Sequence, residues 1–230
     1  MQELIIGVMW YFVFLFSLVF HEAAHAFAAL KLGDETAYDG GQVTLDPVPH
    51  IRREPLGMVV VPLISYLIGG WMFGWASAPY NIQWAMNYPK RSALMSLAGP
   101  VANLVLVIAA MILIRVGIVL GYFSVPWQFD FTQVVLADQA GFPASFAILL
   151  SIMFSLNVLL FVFNLIPVPP LDGSGVVPLF MKEETAQAYM GFIHQPIFMI
   201  LGIFLAWELI GHLFYPVFYF FLNILYLGIS

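Results

Sequence analysis

The sequence predicts an all-helical, polytopic membrane protein, and three observations lead to that fold class. Of the 230 residues, 62% are hydrophobic and only 9% are charged, and the mean hydropathy is +0.95, which leaves too little polar surface for a water-soluble domain. The apolar runs are much longer than the roughly ten-residue alternation of a barrel strand, so the spans are helices. Since the chain has no cysteine, it has neither a disulfide framework nor a thiolate metal site.

We expect one membrane-embedded domain over residues 1–230, with about five to six transmembrane helices. The predicted spans are residues 4–30, 91–114 and 144–166, with one or two more within 195–229. Residues 58–76 are apolar but are broken by a proline and three glycines, which predicts a re-entrant or interfacial segment. The first span lacks a basic flank and a small-residue cleavage pattern, so we interpret it as a retained helix, not a signal peptide.

A short membrane-associated β-hairpin is predicted around residues 42–45, where apolar and polar residues alternate after an Asp-Gly turn. An edge strand at this position could pair with an extended peptide. A plain connecting loop is an equally good interpretation of the same residues.

The strongest chemical signal is His21-Glu22-Ala23-Ala24-His25, near the C-terminal end of the first span. Two histidines four residues apart lie one helical turn apart on the same face, where they can share a zinc ion. The glutamate between the ligands can act on water at the metal. An acidic side chain deep in a bilayer is costly, which favours a functional role over a mutually satisfied helical core.

A catalytic zinc site needs three protein ligands and one open position. Asp172 is the best candidate for the third, because it follows a proline-broken helix end where the unwound backbone can direct a short carboxylate inward. Asp130, Asp138 and the 183–184 pair lie in polar loops, where we expect them to be solvated.

This choice of ligands constrains the topology. His21 and Asp172 both lie at or beyond the C-terminal ends of their spans, so the two spans must run in the same direction and an odd number of crossings separates them. If residues 58–76 do not cross, all basic residues except Arg115 fall on one side, which the positive-inside rule makes cytoplasmic. The metal site is then closer to the cytoplasmic face.

The downstream motif Asn164-x-x-Pro167-x-Pro169-Pro170-Leu171-Asp172-Gly173, combined with the histidine pair, resembles the site-2 protease family of intramembrane zinc metalloproteases. Further motifs, in the same order, are similar to its small prokaryotic branch: residues 33–34, 42–47, 50–51, 55–57, 73–76 and 98–103. The resemblance covers roughly residues 15–180, with a catalytic core at about 4–182 and C-terminal helices at 195–229.

The resemblance implies one catalytic Zn²⁺ held by His21, His25 and Asp172, with Glu22 as general base. Asn103 and Asn164 are tentative contacts to the substrate or oxyanion; for Asn103, a purely interhelical role has equal weight. Three departures from the branch concern the surroundings of the site. Asp46 stands where asparagine is usual, Arg52-Arg53-Glu54 lengthens the segment after His50, and Ser77-Ala78 replaces a Lys-Pro pair.

The predicted function is hydrolysis of peptide bonds within or near transmembrane segments, by regulated intramembrane proteolysis in the plasma (inner) membrane of a prokaryote. The expected partners are a transmembrane substrate and the lipid bilayer; the net charge of −6 argues against nucleic acid. The alternatives are a metal-dependent ion or proton transporter, and a homologue that binds membrane segments without cleaving them. The oligomeric state and the roles of His50, Glu208 and His212 are left open, although Glu208 and His212 form a notable ionisable pair in an apolar region.

Overall fold

The structure is a computed structural model, and it describes residues 2–229. In chain order, the helices and strands are α1 (Gln2–Leu32), α2 (Thr36–Asp39), α3 (Pro47–Arg53), a π-helical turn (Leu56–Val60), α4 (Val61–Gly69), α5 (Ile82–Asn87), α6 (Pro89–Val119), β1 (Phe123–Ser124), β2 (Leu136–Ala137), α7 (Phe142–Asn164), α8 (Asp172–Val176), a 3₁₀ turn (Val177–Phe180), α9 (Glu183–Ile193) and α10 (Pro196–Tyr226). The helical class is confirmed.

Within residues 2–229, four helices are long and apolar enough to cross a membrane: α1, α6, α7 and α10. The prediction of five to six spans is therefore not confirmed. In the C-terminal region, where one or two spans were expected, the structure has one: Pro216 lies inside the continuous, 31-residue α10. A proline within a membrane helix can be accommodated by neighbouring groups and local adjustment.

The segment that we expected to be re-entrant or interfacial forms only a short helix. It consists of the π-helical turn and the nine-residue α4, which ends at Gly70 in the left-handed conformation. At ~1.5 Å per residue this helix is too short to cross a ~30 Å hydrocarbon layer. Residues 71–81 continue without helix or strand, and the backbone N–H of Trp75 donates a hydrogen bond to the carbonyl of Gly57.

The hairpin prediction at residues 42–45 is wrong, because residues 43–45 form bends and Gln42 lies in neither a helix nor a strand. Side chains compete for the backbone here: the Thr44 hydroxyl accepts from the Asp46 N–H, and the Asp46 carboxylate accepts from the Val48 N–H. Asp46 is thereby the N-cap of α3, a role that asparagine fills equally well. The small antiparallel sheet is elsewhere and pairs β1 with β2.

Three spans form the core that carries the site. Helix α1 lies beside α7 and runs in the same direction, since Ser17 contacts Asn157 while His25, further along α1, contacts Asp172 beyond the C-terminal end of α7. Helix α6 runs in the opposite direction, since His21 contacts Asn103 while His25 contacts Met95. A single crossing therefore separates α1 from α7. The odd number of crossings required by the ligand assignment is therefore present in the structure.

Candidate metal centre

Two elements far apart in sequence bring three potential ligands together. His21 Nε2 and His25 Nε2 lie 3.0 Å apart, and Asp172 Oδ2 lies 3.1 Å and 3.2 Å from them, respectively. These three residues form a group that could hold a metal ion. Both histidines are buried, and Asp172 is partly exposed.

The spacing of the three atoms fits zinc. With metal–ligand distances of ~2.0–2.1 Å, two ligand atoms of a tetrahedral zinc site lie about 3.3 Å apart. The observed triangle, with edges of 3.0–3.2 Å, corresponds to one face of such a tetrahedron. The donor set of two imidazoles and one carboxylate is also one that catalytic zinc uses, with a fourth position left for water.

The Nδ1 atom of each histidine contacts an oxygen, and this determines which ring nitrogen carries the proton. His25 Nδ1 is 2.8 Å from the Met95 carbonyl, which can only accept, so this nitrogen donates. His21 Nδ1 is 2.6 Å from Asn103 Oδ1. In the neutral rings, both Nε2 atoms therefore present lone pairs toward the metal position.

The orientation of the Asn103 amide follows from a chain of hydrogen bonds that ends at a backbone carbonyl. Asn157 Nδ2 donates to the Met153 carbonyl and to Ser17 Oγ, which leaves Asn157 Oδ1 to accept from Asn103 Nδ2. Asn103 Oδ1 must then face His21. Asn103 and Asn157 are fully buried, and the chain joins α1, α6 and α7.

With these tautomers, two imidazole lone pairs and a carboxylate oxygen converge without a proton between them. Three acceptors at 3.0–3.2 Å repel one another unless a cation lies among them. Burial raises the pKa of the Asp172 carboxyl, whereas positive charge at His25 and His21 lowers it well below its usual range. A metal ion among the three atoms supplies such a charge when both rings are neutral, so the carboxylate is ionised beside a bound cation.

Gly99 of α6 leaves the space that the two imidazoles occupy. A Cβ atom at this position would lie 2.2 Å from His25 Nε2 and 2.5 Å from His21 Nε2. Residue 99 therefore has to lack a side chain for the two rings to hold this arrangement. Gly175 plays a similar part for α8, since its Cβ would lie 2.3 Å from Ser96 Oγ.

Of the remaining predicted site residues, Glu22 lies between the two histidines in the sequence, and its side chain is buried. It is an i,i+3 neighbour of His25 on α1. Asn103 contacts His21, as described. Asn164 is the last residue of α7 and is half-buried; its assignment as a substrate contact stays a prediction.

Sequence reasoning missed Ser17, Asn157 and the spatial role of Gly99. The available signal was polarity: Ser17 and Asn157 are hydrogen-bonding residues in long apolar spans, and Ser17 precedes His21 by one turn. It also missed a contact between two of the departures from the family pattern. Ser77 donates to Glu54 (2.6 Å) and accepts from Arg53 (3.2 Å).

Comparison with known proteins identifies the family. A Bacillus subtilis (strain 168) protein named "Putative zinc metalloprotease YwhC" is 32% identical over 203 residues, which cover 85% of this chain and 82% of the relative. The chain belongs to this family of zinc metalloproteases. Two further relatives are named "Putative zinc metalloprotease Rip2". The one from Mycobacterium tuberculosis (strain ATCC 25618 / H37Rv) is 32% identical, over 90% of this chain and 70% of the relative. The one from Mycolicibacterium smegmatis is 28% identical, over 91% of this chain and 71% of the relative.

No family model matches the chain, and no solved structure matches it. The curated relatives, together with the ligand triangle, confirm Zn²⁺ as the cofactor.

Proposed function

We propose that this protein is an intramembrane zinc protease of the site-2 type, which hydrolyses peptide bonds within or near the transmembrane segments of its substrates. The observation that carries the proposal is the convergence of His21, His25 and Asp172 at the ends of two apolar helices. A water-soluble metalloprotease has no reason to place its metal ligands on apolar helices long enough to cross a membrane. The same side chains therefore point to both the chemistry and its location.

In the proposed site, His21, His25 and Asp172 hold the ion. Bound there, zinc supplies a Lewis acid that polarises the scissile carbonyl and lowers the pKa of water toward ~7. Glu22 accepts a proton from the attacking water and delivers it to the leaving amine. Its position between the two histidine ligands supports this role.

Asn103 is proposed to position His21. Its Oδ1 accepts the Nδ1 proton of that ring, and such outer partners hold the ligand's tautomer and orientation. Asn157 and Ser17 extend this support to α7 and back to α1. Because both ends of the Asn103 amide already contact protein groups, positioning is better supported than an oxyanion role.

An apolar groove on the outside of α1 and α6 supports a transmembrane substrate. It is lined by residues that flank the site residues in sequence, including Ala23 and Ala24 beside Glu22 and Ala98 beside Gly99, and it extends to Leu45. Small side chains let a substrate helix approach closely. The groove thus offers an apolar surface on α1 and α6, the two helices that carry Glu22, the histidine pair and Gly99.

The proposed location is the plasma membrane of a prokaryote, with the site toward the cytoplasm. Lys31 and Arg91 lie at the C-terminal end of α1 and the N-terminal end of α6, which is the site's end of the bundle. Basic residues concentrate on the cytoplasmic side of membrane proteins. The bacterial sources of the relatives support a prokaryotic membrane.

The decisive experiment is Glu22→Gln in the full chain, reconstituted with zinc and a membrane-embedded substrate. The loss of a general base should reduce the cleavage rate by at least about 100-fold, while metal analysis still finds one zinc per chain. Glu3→Gln is the matched control, because it makes the same change at the start of the same helix, far from the metal centre, and we expect cleavage within about twofold of the parent.

Cleavage that persists in Glu22→Gln would contradict the general-base assignment. If the parent binds zinc but cleaves no membrane-embedded substrate, the protein is instead a homologue that binds membrane segments without hydrolysis. Zinc-dependent ion flux in the same liposomes would favour the transporter.

A further inference from the structure

Helix α10 is far less covered by the rest of the chain than the other three spans. In its most apolar 18-residue window only 17% of the residues are buried, against 44–56% in α1, α6 and α7. Its C-terminal half packs on α7 through Phe214, Phe218 and Phe221. The opposite face is exposed over most of the length of the helix.

That exposed face carries an acid and a base one turn apart, Glu208 and His212. At ~1.5 Å per residue, they lie about 18 Å and 24 Å from the start of a helix about 46 Å long. Both therefore lie well inside a ~30 Å hydrocarbon layer. Neither takes part in the metal centre, so the proposed chemistry does not account for them.

Ionisable side chains within membrane spans usually face protein or water, because facing lipid is costly. The sole hydrogen bond found for these two side chains among residues 2–229 is local: His212 Nδ1 to the Glu208 carbonyl, at 3.3 Å. Among the described residues, the Glu208 carboxylate and the other ring nitrogen of His212 make no hydrogen bond, so both are available to a partner from outside the chain.

We propose that this face of α10 binds a second copy of the same chain, forming a homodimer within the membrane. Copies inserted with the same topology are related by a two-fold axis along the membrane normal, so identical residues meet at the same depth. Glu208 of one copy then lies about 6 Å, one turn, from the level of His212 of the other. Glu208 of each copy can then pair with His212 of the other, which gives two acid–base pairs. A second copy therefore satisfies both side chains without any further partner.

Two neighbouring features suit close packing of α10 against its copy. A Cβ at Gly211 would meet nothing within 4 Å in this chain, so packing within one chain does not explain this glycine, whereas backbone approach between two helices would. Phe204, Tyr215 and Tyr219 continue the same face and are all more than half exposed. The face therefore combines a glycine, a polar pair and large side chains along one stripe.

Disulfide cross-linking in native membranes tests the contact, and the absence of native cysteines makes single-cysteine variants easy to interpret. Tyr215→Cys and, separately, Phe204→Cys should give an oxidant-dependent dimer. The matched control is Ile108→Cys, which is also exposed and lies as far from the start of α6 as Tyr215 does from the start of α10. Helices α6 and α10 end side by side, where Arg115 donates to the Leu225 carbonyl.

A mixing experiment tests the acid–base pairing itself. Homodimers of Glu208→Leu or of His212→Leu lose both pairs, so each variant alone should dimerise at least roughly threefold more weakly than the parent. When the two variants are co-expressed with different tags, their heterodimer recovers one pair. Heterodimers should then exceed the statistical half of all dimers, with zinc content unchanged in every sample.

Three results would overturn the proposal. One is cross-linking of both Tyr215→Cys and Phe204→Cys no stronger than that of Ile108→Cys at matched density. Another is capture of a different membrane protein by these cysteines in place of a second copy. The third is a heterodimer fraction at the statistical value, which would show that the pair does not join the copies.

Discussion

Helices α1 and α10 have the same length and nearly the same kinds of polar residue, yet their surroundings are opposite. Each has 31 residues, and each carries a glutamate and histidine close together in an apolar sequence. In α1, His21, Glu22 and His25 are all buried, and both rings contact groups from other helices. In α10, Glu208 and His212 face outward.

The difference shows that the residue types alone do not make a metal centre. The α1 histidines are placed to bind a metal because Gly99 admits them, Asn103 and Met95 orient them, and Asp172 supplies a third potential ligand atom, a carboxylate oxygen. Helix α10 has no counterpart to these contacts among the described residues. The first two of the following predictions remove features that the α1 site has and α10 lacks, the Asp172 carboxylate and the space at Gly99, and the third and fourth test the groups that orient His21.

The largest effect is expected for Asp172→Ala. Its removal leaves two imidazoles and no anionic ligand, so zinc affinity should fall by more than the ~10–100-fold typical of losing an outer partner. Metal analysis after dialysis should find zinc absent, while Asp138→Ala, in an exposed loop, keeps one ion per chain. One zinc ion per chain in Asp172→Ala would show that the third ligand is a different residue.

Gly99→Ala should follow closely. The added methyl would lie within 2.5 Å of both Nε2 atoms, so the rings have to move apart and the ligand triangle is lost. Zinc content and cleavage should both drop, whereas the added methyl of Gly191→Ala in α9 meets nothing within 4 Å, so this variant should change neither. Equal zinc content in the two variants would show that α6 can move away at little cost.

Asn103→Ala should have an intermediate effect. His21 loses the acceptor for its Nδ1 proton, and zinc affinity is expected to fall about 10–100-fold, as for other outer partners of metal-binding histidines. Competition with a fluorescent chelator measures this. Asn223→Ala, at an exposed position of α10, is the matched control; an unchanged affinity in Asn103→Ala would leave that residue a purely structural role.

Ser17→Ala should have the smallest effect. Its hydroxyl accepts a hydrogen bond from Asn157, so three hydrogen bonds separate Ser17 from His21. Losing one buried hydrogen bond lowers the free energy of unfolding by about 1–3 kcal/mol. We expect a lower midpoint of thermal unfolding and zinc affinity within roughly threefold of the parent. A larger loss of zinc affinity in Ser17→Ala than in Asn103→Ala would contradict the proposal that Asn103 is the residue that positions His21.

The amino-acid sequence by itself predicted the helical membrane class, the short nature of residues 58–76 and the placement of His21 and His25 on one helix face. These follow from local physics: hydropathy reports burial in lipid, and an i,i+4 spacing places two side chains on one face whatever else surrounds the helix. The choice of Asp172 as their partner rested on the proline-broken helix end before it and on the family resemblance. The parallel direction required of the two ligand-bearing spans followed from that ligand assignment, because both sets of ligands lie at the C-terminal ends of their spans.

Only the tertiary structure decided the number of spans, the absence of a strand at residues 42–45, the Asn103–Asn157–Ser17 chain and the role of Gly99. Each depends on contacts between residues tens of positions apart or on competition between equally possible local hydrogen bonds, as at Thr44 and Asp46. Pro216 could end a helix or lie within one, and a glycine has no side chain to show what packs against it. Such features become visible only when the neighbouring helices are in place.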